Sequence, residues 1–270
     1  MPGRADDRHD NRSQAEQGAE VRTHARARFA RDGFLILPGL AGADLTQRLR
    51  AAALACLDPL IGPAEFEADV AYPGAPASRD DAGGQTPRRL LAAVARDPVF
   101  RSWATGAPLA PWIRMLLDDS AMLAQTHHNC VMTKHPGYSS ETNWHQDIRY
   151  WSFDQPELVS AWLALGVEHA GNGALRMIPG SHEAELDRGR LDADLFLRPE
   201  LEENAVLIDS AVSVELSPGD VVLFDARTFH AAGRNDADAV KLSLVFTYHR
   251  AENRPIPGTR SANYPSLSLD

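Results

Sequence analysis

The chain has 270 residues, 44% of them hydrophobic, and a formal net charge of -10 from 27 Lys+Arg and 37 Asp+Glu. That content can supply a substantial core, and the acidic balance argues against nucleic acid as a general partner. Two cysteines, Cys56 and Cys130, are too few for a disulfide framework or a thiolate metal site. With no apolar run of 18 residues and no signal segment, we expect a cytoplasmic protein that does not enter a membrane.

The first half of the chain has the patterns of helices around one short strand. Residues 1–18 are polar and are expected to form a disordered leader, followed by a single domain over residues 19–270. Between residues 61 and 89, Gly, Pro, Ala and Asp dominate, which indicates a long loop that either faces a substrate or lacks order. The predicted elements are helices over 21–32, 45–57, 88–95 and 98–117, and a strand over 34–37.

The second half has the pattern of short strands separated by turns. Turn sequences include Gly171-Asn172-Gly173 and Ser217-Pro218-Gly219-Asp220. Helices first and many strands later predict a mainly β fold, with a curled double sheet flanked by helices. The predicted strands are 122–134, 159–167, 174–178, 205–208, 211–216, 221–224 and 241–248.

Residues 143–151 contain the pattern that points most directly to chemistry. His145 and Asp147 are two residues apart, so on a strand their side chains share one face and can converge on one ion. His230 follows a buried strand 230 − 145 = 85 residues later, so the three can meet only if the sheet folds back on itself. Two imidazoles and one carboxylate on one face of a metal form the facial triad typical of non-haem Fe(II) oxygenases.

Four motifs in this order resemble the phytanoyl-CoA dioxygenase family of Fe(II)- and 2-oxoglutarate-dependent oxygenases. They are Trp144-His145-Gln146-Asp147, residues 171–182, residues 218–224 and His230. The resemblance spans about residues 29–248. It implies a double-stranded β-helix (jelly-roll) core, with Fe(II) bound by His145, Asp147 and His230 and with 2-oxoglutarate as cosubstrate.

The resemblance also implies a reaction. A small-molecule substrate would be hydroxylated at an unactivated C–H bond with dioxygen, and 2-oxoglutarate would leave as succinate and CO2. Related halogenases have a small residue where this chain has the carboxylate of Asp147, so hydroxylation and not halogenation is expected.

The cosubstrate contacts are less well defined by the sequence. The family usually has an Arg eleven residues after the distal His, to hold the far carboxylate of 2-oxoglutarate. This chain has Lys241 there, which can supply a charge but not a bidentate grip. Arg234 is the alternative anchor, and a solvated end of a strand is the alternative role for Lys241. Because the register of the strand over 125–134 is open, its candidates are His127, His128, Asn129, Thr133 and Lys134.

The residues after the triad are the candidates for contact with the primary substrate. Arg149, Tyr150, Trp151 and Phe153 would suit an anionic, partly apolar molecule. Alternatively, Trp151 and Phe153 pack in the core and Arg149 pairs with an acidic neighbour. Arg88-Arg89 could also meet an anion, although adjacent charges more often begin a solvated helix.

Two other functional classes remain open at this point. One is a cupin-type metal-dependent isomerase or hydrolase that uses Zn(II) or Mn(II) and no 2-oxoglutarate, and the other is a non-catalytic binding protein with the same fold. The sequence identifies neither the primary substrate nor the oligomeric state.

Overall fold

A computed structural model describes residues 6–270, with the backbone alone for residues 6–17 and residue 19. These described residues form five α-helices and twelve strands. The helices are α1 Asp6–Asp32, α2 Ala43–Ala55, α3 Pro98–Thr105, α4 Ala110–Leu117 and α5 Glu202–Asp209. The strands are β1 Phe34–Leu37, β2 Ala64–Phe66, β3 Pro87–Leu91, β4 Ala121–Lys134, β5 Thr142–His145, β6 Val159–Ala164, β7 Leu175–Met177, β8 Val212–Ser213, β9 Val221–Asp225, β10 His230–Ala232, β11 Lys241–Arg250 and β12 Leu267–Ser268.

The strands form two antiparallel sheets. The larger has eight strands in the order β1-β9-β6-β11-β4-β3-β2, with β12 beside β4, and the smaller has four in the order β5-β10-β7-β8. Strands that are neighbours in space are mostly distant in sequence, as expected when one chain winds between two facing sheets. The predicted mainly β fold with a jelly-roll core is therefore confirmed.

Strand β11 shows how the layers are built, because it is buried on both faces. Leu244 and Phe246 point away from the smaller sheet and pack with Trp103 of α3 and Ile113 of α4. Val245 points the other way, into an apolar cluster that includes residues of β6, β7 and β9. The alternation of side chains along a strand thus divides the molecule into a helical layer, the larger sheet and the smaller sheet.

Two of the predicted elements are wrong. Residues 88–95, predicted as a helix, form β3 and then a 3₁₀ turn at Ala93–Ala95, because β3 pairs with both β2 and β4. Residues 205–208, predicted as a strand, lie in α5. A four-residue apolar run does not distinguish a strand from a turn of helix, and Glu202 and Glu203 in the first turn favour the helix.

Other differences concern the ends of elements. The predicted helix over 98–117 is two helices, α3 and α4, separated at Gly106 and Pro108. The predicted leader lies partly in residues 1–5, outside the described residues, and its part from Asp6 onward belongs to α1. Of the helices in the described part of the chain, none combines the length and apolarity needed to cross a membrane.

Candidate metal centre

The smaller sheet brings the two distant histidines together. His145 at the end of β5 and His230 at the start of β10 are directly paired across these strands. Asp147 begins a 3₁₀ turn immediately after β5, so it reaches the same point from a turn and not from the expected strand. Its Oδ1 lies 3.5 Å from Nε2 of each histidine, and one donor atom from each residue lies within 4.8 Å of the others.

Each histidine is oriented by a backbone carbonyl two residues earlier. His145 Nδ1 is 2.8 Å from the carbonyl of Asn143, and His230 Nδ1 is 3.0 Å from that of Thr228. A carbonyl only accepts hydrogen bonds, so Nδ1 carries the proton and Nε2 presents its lone pair to the centre. Thr228 is held in turn by its hydroxyl, which donates to the carbonyl of Gly33 at 2.9 Å.

Gly33 leaves no room for a side chain at this contact. Its φ is +79°, and a Cβ there would lie 2.5 Å from Thr228 Oγ1. The end of α1 can therefore approach the turn before His230 only because residue 33 is a glycine.

His128 supports the carboxylate of the triad. Its Nδ1 is 3.2 Å from Asp147 Oδ2, a contact that lacks the alignment of a hydrogen bond. It reaches this position because the pairing of β4 with β11 jumps from Asn129 to Ala124 between Phe246 and Thr247. The unpaired residues 125–128 arch out of the ladder, and the arch brings both His127 and His128 to the cavity wall.

The ionisation of the three donors suits a metal ion. Burial would raise the pKa of Asp147, but His128 and His230 hold it well below the ordinary value. Burial and the nearby His230 lower the pKa of His145 to about 4, whereas Asp147 outweighs burial and raises the pKa of His230. Near pH 7 the centre thus offers a carboxylate and at least one neutral imidazole, the forms that metals bind. Two nitrogens and one oxygen on one face fit Fe(II).

We expect His128→Ala to weaken metal binding by roughly 10–100-fold, the usual effect of removing a group that orients a ligand. Anaerobic Fe(II) titration measures it. His169→Ala changes an exposed histidine and should leave the affinity unaltered. Equal affinity in wild type and His128→Ala would mean that the 3.2 Å contact does not orient Asp147.

A cavity beside the three donors extends between the two sheets. The described residues around it come from both sheets and from the loop before β3. They include Tyr72, Arg88, Arg89, His127, His128, Thr133, Lys134, Tyr150, Trp162, Leu175 and Lys241.

The structure separates the two anchors proposed for 2-oxoglutarate. Lys241 lines the cavity and is buried there, 3.1 Å from Glu168 Oε2, so it is not a solvated end of a strand. Arg234 does not line the cavity among the described residues, and its guanidinium donates to the carbonyl of Gly137 at 3.2 Å.

The candidates on β4 also divide. Thr133 borders the cavity, with its hydroxyl donating to the carbonyl of Pro87. Asn129 is buried away from the cavity, where its side-chain oxygen accepts from the backbone N–H of Val94 at 2.9 Å. The contacts of Asn129 are therefore those of a structural residue.

The four candidates for substrate contact fall into two pairs. Tyr150 lines the cavity, and the guanidinium of Arg149 lies 4.9 Å from its ring and 4.0 Å from that of Phe196. Among the described residues, no carboxylate forms an ion pair with Arg149. Trp151 and Phe153 belong to a small apolar cluster instead, which is the packing role considered as the alternative.

Sequence reasoning missed two aromatic residues near the centre. Tyr72 belongs to the long loop over 61–89, and its hydroxyl is 2.9 Å from that of Tyr150. Phe196 makes edge contacts with both Tyr72 and His145, with ring centroids 5.7 and 5.6 Å apart. The length of the loop predicts a substrate-facing role for the loop as a whole but singles out no residue of it, and nothing in the irregular segment around Phe196 indicates a role for that residue.

Arg88 and Arg89 both reach the cavity although they are consecutive on β3. The pairing of β3 with β2 skips Arg88, which leaves it as the extra residue of a β-bulge. Arg89 holds Glu65 with two nitrogens. Arg88 has only long contacts, 3.4 Å to Glu65 and 3.2 Å to Thr142, so it is the less fully paired of the two.

Comparison with known proteins places the chain among oxygenases. The family model for phytanoyl-CoA dioxygenase (PhyH) matches residues 29–242. The ectoine dioxygenase of Sphingopyxis alaskensis is 28% identical over 255 residues, which cover 87% of this chain and 78% of that protein.

Two solved structures share the fold. The structure of EctD from S. alaskensis with 2-oxoglutarate and 5-hydroxyectoine has a TM-score of 0.69 at 24% identity, over 86% of this chain and 77% of that one. The alpha ketoglutarate dependent epimerase SnoN from nogalamycin biosynthesis has a TM-score of 0.71 at 23% identity, over 89% and 86%.

A jelly roll with two histidines and a carboxylate on one face defines the class of non-haem metal-dependent oxygenases. Within that class, the chain belongs to the phytanoyl-CoA dioxygenase family. The predicted cofactors, Fe(II) and 2-oxoglutarate, agree with this family and with the donor set. The structures of similar fold include an epimerase, so the fold does not by itself determine the outcome of the reaction.

Proposed function

We propose that this protein is an Fe(II)- and 2-oxoglutarate-dependent dioxygenase that hydroxylates an unactivated C–H bond of a small organic substrate. The observation that carries the proposal is the convergence of His145, Asp147 and His230 within 4.8 Å at the wall of a cavity. The carboxylate of Asp147 supports hydroxylation over halogenation, because it fills the place where related halogenases have a small residue.

The residues of the chain would hold and orient the reactants. His145, Asp147 and His230 would bind the metal, and Lys241 would attract the distal carboxylate of 2-oxoglutarate. Iron and 2-oxoglutarate together supply the oxidative chemistry, in which dioxygen is consumed and the cosubstrate becomes succinate and CO2. The protein contributes position and exclusion of water.

An aromatic surface beside His145 would receive the primary substrate. Tyr72, Tyr150 and Phe196 form it, with Arg149 stacked on two of these rings and Arg88 on the third, 4.9 Å from the ring of Tyr72. Arg149 has no carboxylate partner among the described residues, and Arg88 has only the long contact of 3.4 Å with Glu65. An anionic group on a partly apolar molecule therefore fits best.

The test is succinate formation from 2-oxoglutarate in air by the Fe(II)-loaded protein, first without primary substrate and then with a panel of organic acids. We expect a slow basal rate that a true substrate stimulates. A binding test needs no turnover: under anaerobic conditions with Mn(II), a hundredfold excess of 2-oxoglutarate over Kd should stabilise the protein by about 2.7 kcal/mol.

The same measurements test the rival isomerase or hydrolase. That reading predicts metal binding without any response to 2-oxoglutarate in either assay, and such a result would overturn our proposal.

Cys56 and Cys130 are both free thiols, which supports the predicted cytoplasmic location.

A further inference from the structure

The chain contains only two lysines, and both lie at the cavity. Lys134 and Lys241 are the lysines among 27 Lys+Arg residues. They are directly paired across β4 and β11, so their side chains leave the same face of the sheet, and both line the cavity. All the remaining Lys+Arg residues of the chain are arginines. The two lysines face each other across the strands, and a lysine, unlike an arginine, carries a compact charge and can lose its proton.

Lys241 has a carboxylate of its own. Its Nζ donates to Glu168 Oε2 at 3.1 Å, and the same carboxylate accepts from Trp162 Nε1 and Ser243 Oγ. Glu168 is buried but does not line the cavity. It therefore supports Lys241 from outside the cavity, while the ring of Trp162, which lines the cavity, lies 4.9 Å from Nζ.

Lys134 has no such partner among the described residues. Its Nζ donates to the backbone carbonyls of Ser140 at 2.8 Å and Gly233 at 2.6 Å. Gly173, at φ +75°, lies against its stem, where a Cβ would be 2.8 Å from Lys134 Cδ. The two carbonyls and the glycine turn fix the position of the ammonium without neutralising it.

The surroundings of Lys134 disfavour its charge. Burial lowers its pKa from 10.5 to about 7, with further lowering by Lys241 and Arg88. Glu67 and Glu141 face it and act in the opposite direction, but they do not restore the ordinary value. Near pH 7 Lys134 therefore exchanges between its charged and neutral forms.

We propose that Lys134 and Lys241 together hold the distal carboxylate of 2-oxoglutarate, an inference that rests on the proposed function. Each ammonium has three N–H donors. Lys241 uses one on Glu168 and Lys134 uses two on carbonyls. The remaining donors suit a carboxylate, whose two oxygens accept about four hydrogen bonds. Two point charges thus replace the grip of one guanidinium.

This arrangement couples cosubstrate binding to the uptake of a proton. A bound carboxylate favours the charged form of Lys134 and raises its pKa, which in the free protein is about 7. Affinity for 2-oxoglutarate should therefore be constant below pH 7 and fall above it by up to about tenfold per pH unit. Lys134→Arg, whose side chain stays protonated, should remove this dependence.

Lysine NMR tests the coupling directly. Protein labelled with ¹³Cε-lysine and loaded with diamagnetic Zn(II) gives two lysine signals, which Lys134→Arg assigns. Without ligand, Lys134 should titrate near pH 7. With saturating 2-oxoglutarate, its midpoint should move above about pH 8, the shift equivalent to a tenfold change in affinity. An unchanged midpoint would overturn the proposal.

Calorimetry isolates the distal carboxylate. Under anaerobic conditions with Mn(II), Lys134→Met should weaken the binding of 2-oxoglutarate by roughly 10–100-fold, the usual effect of losing a charge-assisted hydrogen bond. The same substitution should not weaken the binding of 2-oxopentanoate, which has the same carbon chain length but no distal carboxylate. Arg234→Gln should bind both ligands as wild type does, whereas the alternative anchor predicts a selective loss in that variant.

The outcomes separate the two proposals. Failure of wild type to bind 2-oxoglutarate would overturn the proposed function itself. Normal binding by wild type with an equal effect of Lys134→Met on both ligands would overturn only the two-lysine site. If Lys134→Met fails to fold, the pH profile of Lys134→Arg decides, because a fall in affinity above pH 7 that persists in this variant cannot come from Lys134.

Discussion

We expect Asp147→Ala to lower 2-oxoglutarate-dependent succinate formation by more than about a hundredfold, since loss of a supporting partner alone usually costs 10–100-fold. Asp147 is the one carboxylate in the described group of three donors. Without it, two imidazoles remain to hold a dication, and neither cancels any of its charge. Anaerobic Fe(II) titration should show the loss of affinity separately from the loss of turnover.

Two controls make this result specific. Asp187→Ala removes an exposed carboxylate and should keep both metal affinity and turnover. Combining Asp147→Ala with His230→Ala should cost little more than either change alone, because groups that act as a unit are not additive. Turnover in Asp147→Ala above about a tenth of the wild-type rate would place the reaction elsewhere.

The triad was predictable because each of its parts is local. His145 and Asp147 are two residues apart, and His230 follows a strand whose apolar run is unambiguous. The glycine turn at residues 171–173 was predicted only in part. Gly173 has a φ of +75°, the left-handed conformation that favours glycine, whereas Gly171 lies in the 3₁₀ turn Ala170–Asn172 and has no positive φ.

The strand over 121–134 shows where such reasoning stops. Strict alternation predicts that His127 and His128 point to opposite faces, so the sequence left their roles open. The arch over residues 125–128 places both histidines at the cavity, and no residue type in that stretch indicates a bulge. Its position depends on the pairing with β11, which is more than a hundred residues away.

Contacts between distant segments could not be predicted from the sequence for the same reason. Glu168 lies 73 residues from Lys241, in an isolated β-bridge with Leu216 that no sequence motif indicates. Phe196 lies in a segment without periodicity, yet its ring contacts His145. A side chain can be assigned to a site from sequence only when a neighbouring pattern fixes its direction, and neither residue has one.

We expect Glu168→Ala to destabilise the protein by about 3–5 kcal/mol, the usual cost of leaving one member of a buried ion pair without its partner. Lys241 and Glu168 are both almost fully buried, so water cannot replace the lost carboxylate. Trp162 Nε1 and Ser243 Oγ would lose their acceptor as well. Urea denaturation measures the loss, and the melting temperature should fall by roughly 6–20 °C.

The double variant Glu168→Leu/Lys241→Met distinguishes the ion pair from simple packing. Because it removes both charges, it should recover most of the stability that Glu168→Ala loses. The two-lysine site adds a second expectation. 2-Oxoglutarate should raise the melting temperature of Glu168→Ala more than that of wild type. In this variant no carboxylate among the described residues pairs with Lys241, so the distal carboxylate of 2-oxoglutarate would supply its counter-ion. A loss below about 1 kcal/mol in Glu168→Ala would mean that the pair is solvated like a surface salt bridge.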